Sequence, residues 1–212
     1  DSAGREKAWL TNVKGTQYVY EAAKLAGVKR LVFASSYSNY GRVEGDIFIT
    51  EEAPLFPQSL YAESKIAGEN YLLKQAKEVG PSPVCLRLAT VFGLSPRTRF
   101  DLMVNQFILE AFTHRKLVLY QQDIRGSFVH VQDVARAIDC VLNVPVEQIK
   151  GQVFNIGSEK MNTTKSHLAQ LVRRHWSDVE IEERELEFSG DMRDIYVSFE
   201  KARRKLQFEA EI

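Results

Sequence analysis

The sequence predicts an α/β fold organised as a doubly wound parallel sheet. Val28 to Ser35, apolar and β-branched at its centre, and Val84 to Thr90 read as strands covered by protein on both faces. Stretches with apolar residues at helical intervals alternate with strands along the chain, and the connections are short. No internal repeat or low-complexity segment interrupts this alternation.

Each element follows from local chemistry. Arg5 to Ala26 reads as a helix because Trp9, Val13, Tyr20 and Ala23 share a face, and Gly27 is placed to end it. After the strand to Ser35, the segment Ser36 to Pro57 is a loop punctuated by Gly41, Gly45, Pro54 and Pro57. Ser59 is placed to cap a helix carrying Tyr61, Lys65, Ala67 and Tyr71, which Pro81 and Pro83 close. The strand Val84 to Thr90 leads to a helix over Phe100 to Phe112 and a short strand over Lys116 to Tyr120. Phe128 to Val131 is extended, Asp133 to Leu142 helical and Val153 to Ile156 extended. Thr163 to His175 is helical with Asn162 or Thr163 as its cap. Beyond Ser177 the chain is more charged: Glu180 to Glu187 alternates as a half-exposed strand, and Phe199 to Leu206 is a short amphipathic helix.

Composition narrows the functional classes. The 212 residues suit one large domain, and 28 Lys plus Arg against 28 Asp plus Glu give no global footprint of a nucleic-acid binder. No apolar run approaches a membrane span, and the opening residues Asp1-Ser-Ala-Gly-Arg-Glu-Lys are unlike a signal peptide, so the chain reads as cytoplasmic. Cys85 and Cys140 lie in apolar stretches and read as buried thiols rather than a redox pair. The four histidines have no metal-ligand spacing, so no metal is expected.

The residues that point to chemistry are Ser36, Tyr61 and Lys65. A phenol has a reference pKa of about 10, so it accepts a proton near neutrality only when a cation stabilises its phenolate. Lys65, one helical turn after Tyr61, is placed to supply that charge, and Ser36, at the end of a strand, to hold the oxygen whose proton moves. The spacing alone is not specific, because Tyr20-Glu-Ala-Ala-Lys24 has the same form.

Five segments in order make the pattern specific: Asn12-Val-Lys-Gly-Thr-Gln-Tyr-Val-Tyr-Glu-Ala-Ala, Arg30-Leu-Val-Phe-Ala-Ser-Ser-Tyr-Ser-Asn-Tyr-Gly41, Ser59-Leu-Tyr-Ala-Glu-Ser-Lys65, Leu86-Arg-Leu-Ala-Thr-Val-Phe-Gly93 and Phe128-Val-His-Val-Gln-Asp-Val-Ala135. Together they resemble the extended short-chain dehydrogenase/reductase family, in its nucleotide-sugar epimerase/dehydratase branch. The resemblance implies a Rossmann-like sheet, a Ser36, Tyr61 and Lys65 catalytic triad, and NAD or NADP as cofactor, with NAD the first choice. It places Asn12, Tyr61, Lys65 and Ala89 at the cofactor. It places Ser36, Thr90, Asn105, Arg125 and Arg193 at a nucleotide-sugar substrate, Thr90 standing where relatives often carry asparagine. Arg125 lies one position further from the aromatic of Phe128-Val-His-Val than the family arginine, Gly126 holding that place. Arginine suits phosphate through its planar fork. For Asn105 a capping or solvated helix position is an equal reading, and for Arg193 an ion pair with Asp191 or Asp194. His130 reads as a structural hydrogen-bonder and Asp133 as a helix cap.

The largest departure is at the start. The family binds dinucleotide phosphates on a glycine-rich turn, and no Gly-x-Gly-x-x-Gly or Gly-x-x-Gly-x-x-Gly pattern occurs here. The sequence reads as lacking its first β/α units, with residues 1–95 the C-terminal part of the dinucleotide-binding domain. Residues 96–212 read mainly as a small substrate-binding lobe, of which 117–157 return strands and a helix to the sheet. The implied reaction is NAD(P)-dependent epimerisation of a nucleotide sugar through a transient keto intermediate. A reductase or a 4,6-dehydratase is the alternative within the family, though Tyr37 and Ser38 replace the Asp-Glu pair dehydratases carry. A catalytically incompetent fragment or binding module is the alternative of another class. The expected partners are a nucleotide sugar, a second copy of the chain through a four-helix interface, and a chain or segment supplying the absent strands; neither nucleic acid nor membrane is expected.

Overall fold

The computed structural model describes residues 2–43, 47–185 and 194–212. The chain opens with a helical run in three parts: α1 (Ser2–Trp9), a π-helical turn over Leu10–Lys14, and α2 (Gly15–Leu25). It closes on Gly27, whose φ of 68° lets the Val28 N–H reach back to the Ala23 carbonyl at 2.9 Å. β1 (Arg30–Ser36) follows, then a 3-10 turn over Tyr37–Tyr40, β2 (Phe48–Ile49) and α3 (Leu60–Gln75). As expected, Ser59 caps α3, its Oγ accepting from the Ala62 N–H at 3.2 Å.

Next come β3 (Ser82–Leu88), β4 (Thr90–Phe92), α4 (Met103–His114), β5 (Lys116–Tyr120) and β6 (Arg125–His130). The remainder comprises α5 (Val131–Asn143), α6 (Val146–Ile149), β7 (Gln152–Ile156), β8 (Asn162–Thr164), α7 (Lys165–His175), β9 (Glu180–Arg184), β10 (Tyr196–Val197) and α8 (Glu200–Leu206).

β1, β3 and β7 form a parallel sheet in that order. Alternate residues serve opposite faces, as the strand period dictates. Phe33 and Cys85 pack with Tyr20 of α2 and Leu72 of α3, whereas Val84, Leu86, Phe154 and Ile156 pack with Ala137 and Val141 of α5 and Leu206 of α8. Helices therefore cover both faces, the doubly wound arrangement expected. A separate core, with Phe107, Ala111, Leu117, Leu119 and Leu168, joins α4, β5 and α7, and β9 adds to it by pairing with β5.

The structure corrects several local expectations. The strand read as continuous from Val84 to Thr90 breaks at Ala89, whose N–H donates to the Ile156 carbonyl at 2.8 Å before β4 leaves to pair with β6. α4 begins at Met103 rather than Phe100, because Leu102 is extended. Thr164, not Asn162 or Thr163, caps α7 by accepting from the His167 N–H at 3.2 Å. His130 caps α5 through the Gln132 N–H, whereas Asp133 is buried and accepts the Glu211 and Ile212 N–H groups at 3.2 and 3.0 Å, fastening the C-terminal tail. Leu186 and Glu187, read as the end of a strand, lie outside the described residues. Among the described residues no helix is long and apolar enough to cross a membrane.

Candidate active site

Two elements deliver the predicted triad to the C-terminal end of the parallel sheet, where ligands of open α/β sheets bind. Ser36 ends β1 and starts the 3-10 turn. Its Oγ accepts from both the Ser38 N–H (3.2 Å) and the Ser38 hydroxyl (2.8 Å), so its own proton remains available to an incoming oxygen. α3 lies close over β1 because of Gly68, where a Cβ would stand 2.9 Å from the Phe33 ring. That approach brings Lys65 across the strand: its Nζ donates to the Ala34 carbonyl at 2.8 Å and lies 4.9 Å from the Phe33 ring and 5.7 Å from the Tyr61 ring. Burial pushes the Lys65 amine below its ordinary value, and Glu69 offsets only part of the shift. Tyr61, on the first turn of α3, is 48% exposed, so a cation stands beside a phenol that solvent and ligand can reach.

A cleft of about 880 Å³ lies beyond this centre. Tyr37, the residue after Ser36, and Thr90 line one part of it and share a hydrogen bond of 3.0 Å between hydroxyls. Asp101 lines it from the α4 side and binds Arg99 through two bonds of 2.7 and 2.6 Å. Those bonds are the main reason the Arg99 guanidinium lies above its ordinary value. Arg125 lines the opposite side and is held by Asp194, whose Oδ1 accepts from the Arg125 Nε at 2.9 Å and its backbone N–H at 3.1 Å.

The other residues singled out from sequence have visible structural duties. Asn12 sits in the π-helical turn and donates to Ser64 Oγ at 2.9 Å; Ser64 donates in turn to the Tyr61 carbonyl at 2.8 Å, bracing the first turn of α3. Ala89 is buried where the chain changes sheets. Asn105 accepts the Gly93 N–H and donates to the Arg99 carbonyl, both at 3.1 Å, clasping the loop before α4. Arg193 lies outside the described residues. Neither cysteine is in a disulfide, and burial raises the Cys85 thiol. Among the described residues no three His, Cys, Asp or Glu side chains gather as a metal site.

Sequence reasoning missed the buried ion pair beneath the site. Arg87 of β3 and Glu69 of α3 are 4% and 1% exposed and bond at 2.8 Å (Nη2) and 3.0 Å (Nε). Asn39 donates to Glu69 at 3.1 Å and to Ser35 Oγ at 3.2 Å, while Arg87 Nη1 reaches Tyr40 Oη at 2.9 Å. Tyr40 donates to Asn155 Oδ1 at 2.6 Å, and burial pushes its phenol up to about 12. The available signal was a lone arginine inside an apolar strand, which must find a buried acceptor.

Comparison with known proteins gives this geometry its family. The chain is 37% identical over 144 residues to a UDP-glucose 4-epimerase of Streptomyces lividans, covering 62% of this chain and 44% of that protein. It is 29% identical over 203 residues to a dTDP-glucose 4,6-dehydratase of Streptomyces griseus, covering 93% and 59%. Among solved structures it resembles the UDP-glucose 4-epimerase of Thermotoga maritima with UDP-glucose (TM-score 0.87, 25% identity, 98% of this chain and 67% of that one). It also resembles the dTDP-glucose 4,6-dehydratase of Bacillus anthracis in complex with NAD (0.83, 26%, 96% and 64%). The chain thus spans about half to two-thirds of the length of the proteins it matches. Residues 1–157 match the NAD dependent epimerase/dehydratase family, and the chain belongs to it.

Proposed function

We propose that this chain carries the acid–base centre and the substrate cleft of an NAD-dependent nucleotide-sugar epimerase acting through a transient keto sugar. The observation that carries the reading is the placement of Lys65, bonded to the strand that ends in Ser36 while its ammonium stands 5.7 Å from the Tyr61 ring. In this reading Tyr61, as phenolate, takes the proton of a sugar hydroxyl and returns it when the alcohol re-forms. Ser36 donates to the same oxygen, and Lys65 balances the phenolate charge. Turning of the ketone within the cleft presents its second face. NAD, held at Tyr61 and Lys65, would supply reversible hydride acceptance at the sugar carbon.

Tyr61 and Lys65 suit the nicotinamide-ribose end of that cofactor: one is a half-exposed phenol, and the other is a cation 5.7 Å from its ring. The glycine pattern that would cradle the pyrophosphate does not occur in this sequence. Dehydration is the weaker reading, because Tyr37 and Ser38 bond to Thr90 and Ser36 and supply no carboxylic acid for loss of water.

The test is Tyr61→Phe, assayed with UDP-glucose, dTDP-glucose and NAD. Turnover should fall about 10²- to 10⁴-fold with UDP binding unchanged. Turnover within a few-fold of the parent would remove Tyr61 from the mechanism, and net accumulation of NADH would replace epimerisation by a redox reaction.

A further inference from the structure

We infer that Lys165 is the phosphate-binding cation of the cleft, holding the diphosphate of a nucleoside diphosphate ligand. This rests on the nucleotide-sugar reading above and adds the residue that takes its charge. Four basic residues line the cleft: His114, Lys116, Arg125 and Lys165. Lys116 is paired with Glu182 at 2.6 Å and Glu180 at 3.5 Å, and Arg125 with Asp194 at 2.9 Å. His114 is exposed at the end of α4. Lys165 is half-buried, and its Nζ donates to the Tyr120 carbonyl at 3.1 Å. No carboxylate among the described residues forms an ion pair with it.

A carbonyl accepts a hydrogen bond without cancelling a charge. Burial accordingly lowers the Lys165 amine from its ordinary value with no acid opposing the shift, and an arriving anion would relieve that penalty. The backbone around Lys165 is fixed: its N–H donates to the Ile124 carbonyl at 3.3 Å, that of Ser166 to Gln122 at 2.9 Å, and that of His167 to the Thr164 cap. The first amides of α7 are therefore committed, and the side chain is what this helix offers an anion.

Position puts Lys165 on the wall of the cleft that Thr90 and Tyr37 share. Thr90 pairs with Phe128 in β6, and Arg125, three residues earlier on that strand, pairs with Thr164 next to Lys165. The Tyr37 hydroxyl that bonds Thr90 approaches the same strand at Gly126, so Thr90, Tyr37, Arg125 and Lys165 lie along one wall of the cleft. Glu110 lines the α4 side and repels an anion toward the wall of β5, β6 and α7, whereas Asp101 on that side is already paired with Arg99. The volume of about 880 Å³ is large for a simple anion and suits a ligand carrying both a sugar and a nucleoside.

The experiment is calorimetric titration of the chain with UDP, dTDP and uridine at low and moderate salt. The parent should prefer UDP or dTDP to uridine. Lys165→Gln should weaken diphosphate binding about tenfold to a hundredfold while leaving uridine unchanged, and Lys165→Arg should restore most of the loss. Lys116→Gln, at an already paired cation, should change binding by about threefold at most. UDP and dTDP binding by Lys165→Gln as tight as the parent's would overturn the role of Lys165 and leave the nucleotide-sugar reading standing. A parent that binds neither UDP nor dTDP more tightly than uridine would overturn both.

Discussion

Arg87 under the sheet and the lysines beside the cleft are all basic groups removed from water, yet their surroundings are opposite. Arg87 faces a carboxylate, a phenol and a carbonyl, so its donors are satisfied and its charge is balanced by Glu69. Burial opposes that charge, but Glu69 and the Tyr40 phenol together more than offset it and hold the guanidinium above its usual range. Lys65 and Lys165 each bond one backbone carbonyl, which leaves their charge uncompensated, and burial lowers both amines. Glu69 does act on Lys65, but its carboxylate is already bonded to Arg87 and Asn39. A closed network fixes architecture; a cation held by a neutral acceptor is poised to meet an anion that arrives from outside.

The sharpest way to break the contrast is to open the closed network. Glu69→Ala leaves a guanidinium buried without its counter-charge and should destabilise by about 3 to 5 kcal/mol in urea unfolding. Replacing the pair together, Glu69→Leu with Arg87→Met, should recover much of that loss, since both desolvation penalties vanish with it. A loss below about 1 kcal/mol for Glu69→Ala would mean that water reaches Arg87 and that the two regions do not differ in kind.

Asp194 allows an intermediate test, because it neutralises a cation on the cleft wall. Burial opposes its charge, but the side-chain and backbone bonds from Arg125 hold its carboxyl below the ordinary range. A carboxylate with a depressed folded pKa contributes stability that is present above the unfolded value of about 3.9 and lost as pH falls through the folded one. Asp194→Asn should therefore destabilise by about 1 kcal/mol at pH 7 for this largely buried pair, with the difference from the parent closing in acid. The same change makes the cleft one charge more positive and should tighten UDP binding a few-fold. Weaker UDP binding would show instead that Asp194 aims Arg125 at the ligand.

How much of this was legible in the sequence depends on whether the signal is local. Alternating strands and helices, the Ser59 cap and the end of α2 at Gly27 all follow from nearest-neighbour chemistry and appear as expected. The change of sheet at Ala89 was hidden, because an apolar strand has the same pattern whichever sheet it joins. Glu69, four residues after Lys65, reads as a surface helix pair until packing turns it inward toward Arg87. Asn105 and Arg125 were placed at a ligand by resemblance, yet sequence cannot tell a side chain facing a ligand from one bonded to Gly93 or Asp194. Lys165 was passed over because the run Asn162-Thr-Thr-Lys165 reads as helix capping, and its half-buried environment exists only once Tyr120 is packed against it.

Lys65 gives the smallest change in stability and the most discriminating one. Its folded pKa is depressed, so between that value and the unfolded value near 10.4 the unfolded chain binds more protons than the folded one. Stability attributable to this residue therefore rises with pH through that window, and at pH 7 the charged amine is a burden on the fold. Lys65→Met keeps an unbranched side chain of similar length and removes the charge that stands over Phe33, so it should be as stable as the parent or more so, by up to about 1 kcal/mol. Urea unfolding at pH 7 and at pH 10 should show the variant's advantage shrinking at the higher pH, where the parent sheds the proton. In the proposed mechanism turnover should nevertheless collapse, because a Tyr61 phenolate would lose its neighbouring cation. Destabilisation at pH 7 by more than about 1 kcal/mol would instead make Lys65 a structural cation like Arg87, and the distinction between closed and poised charges would fail where the chemistry most needs it.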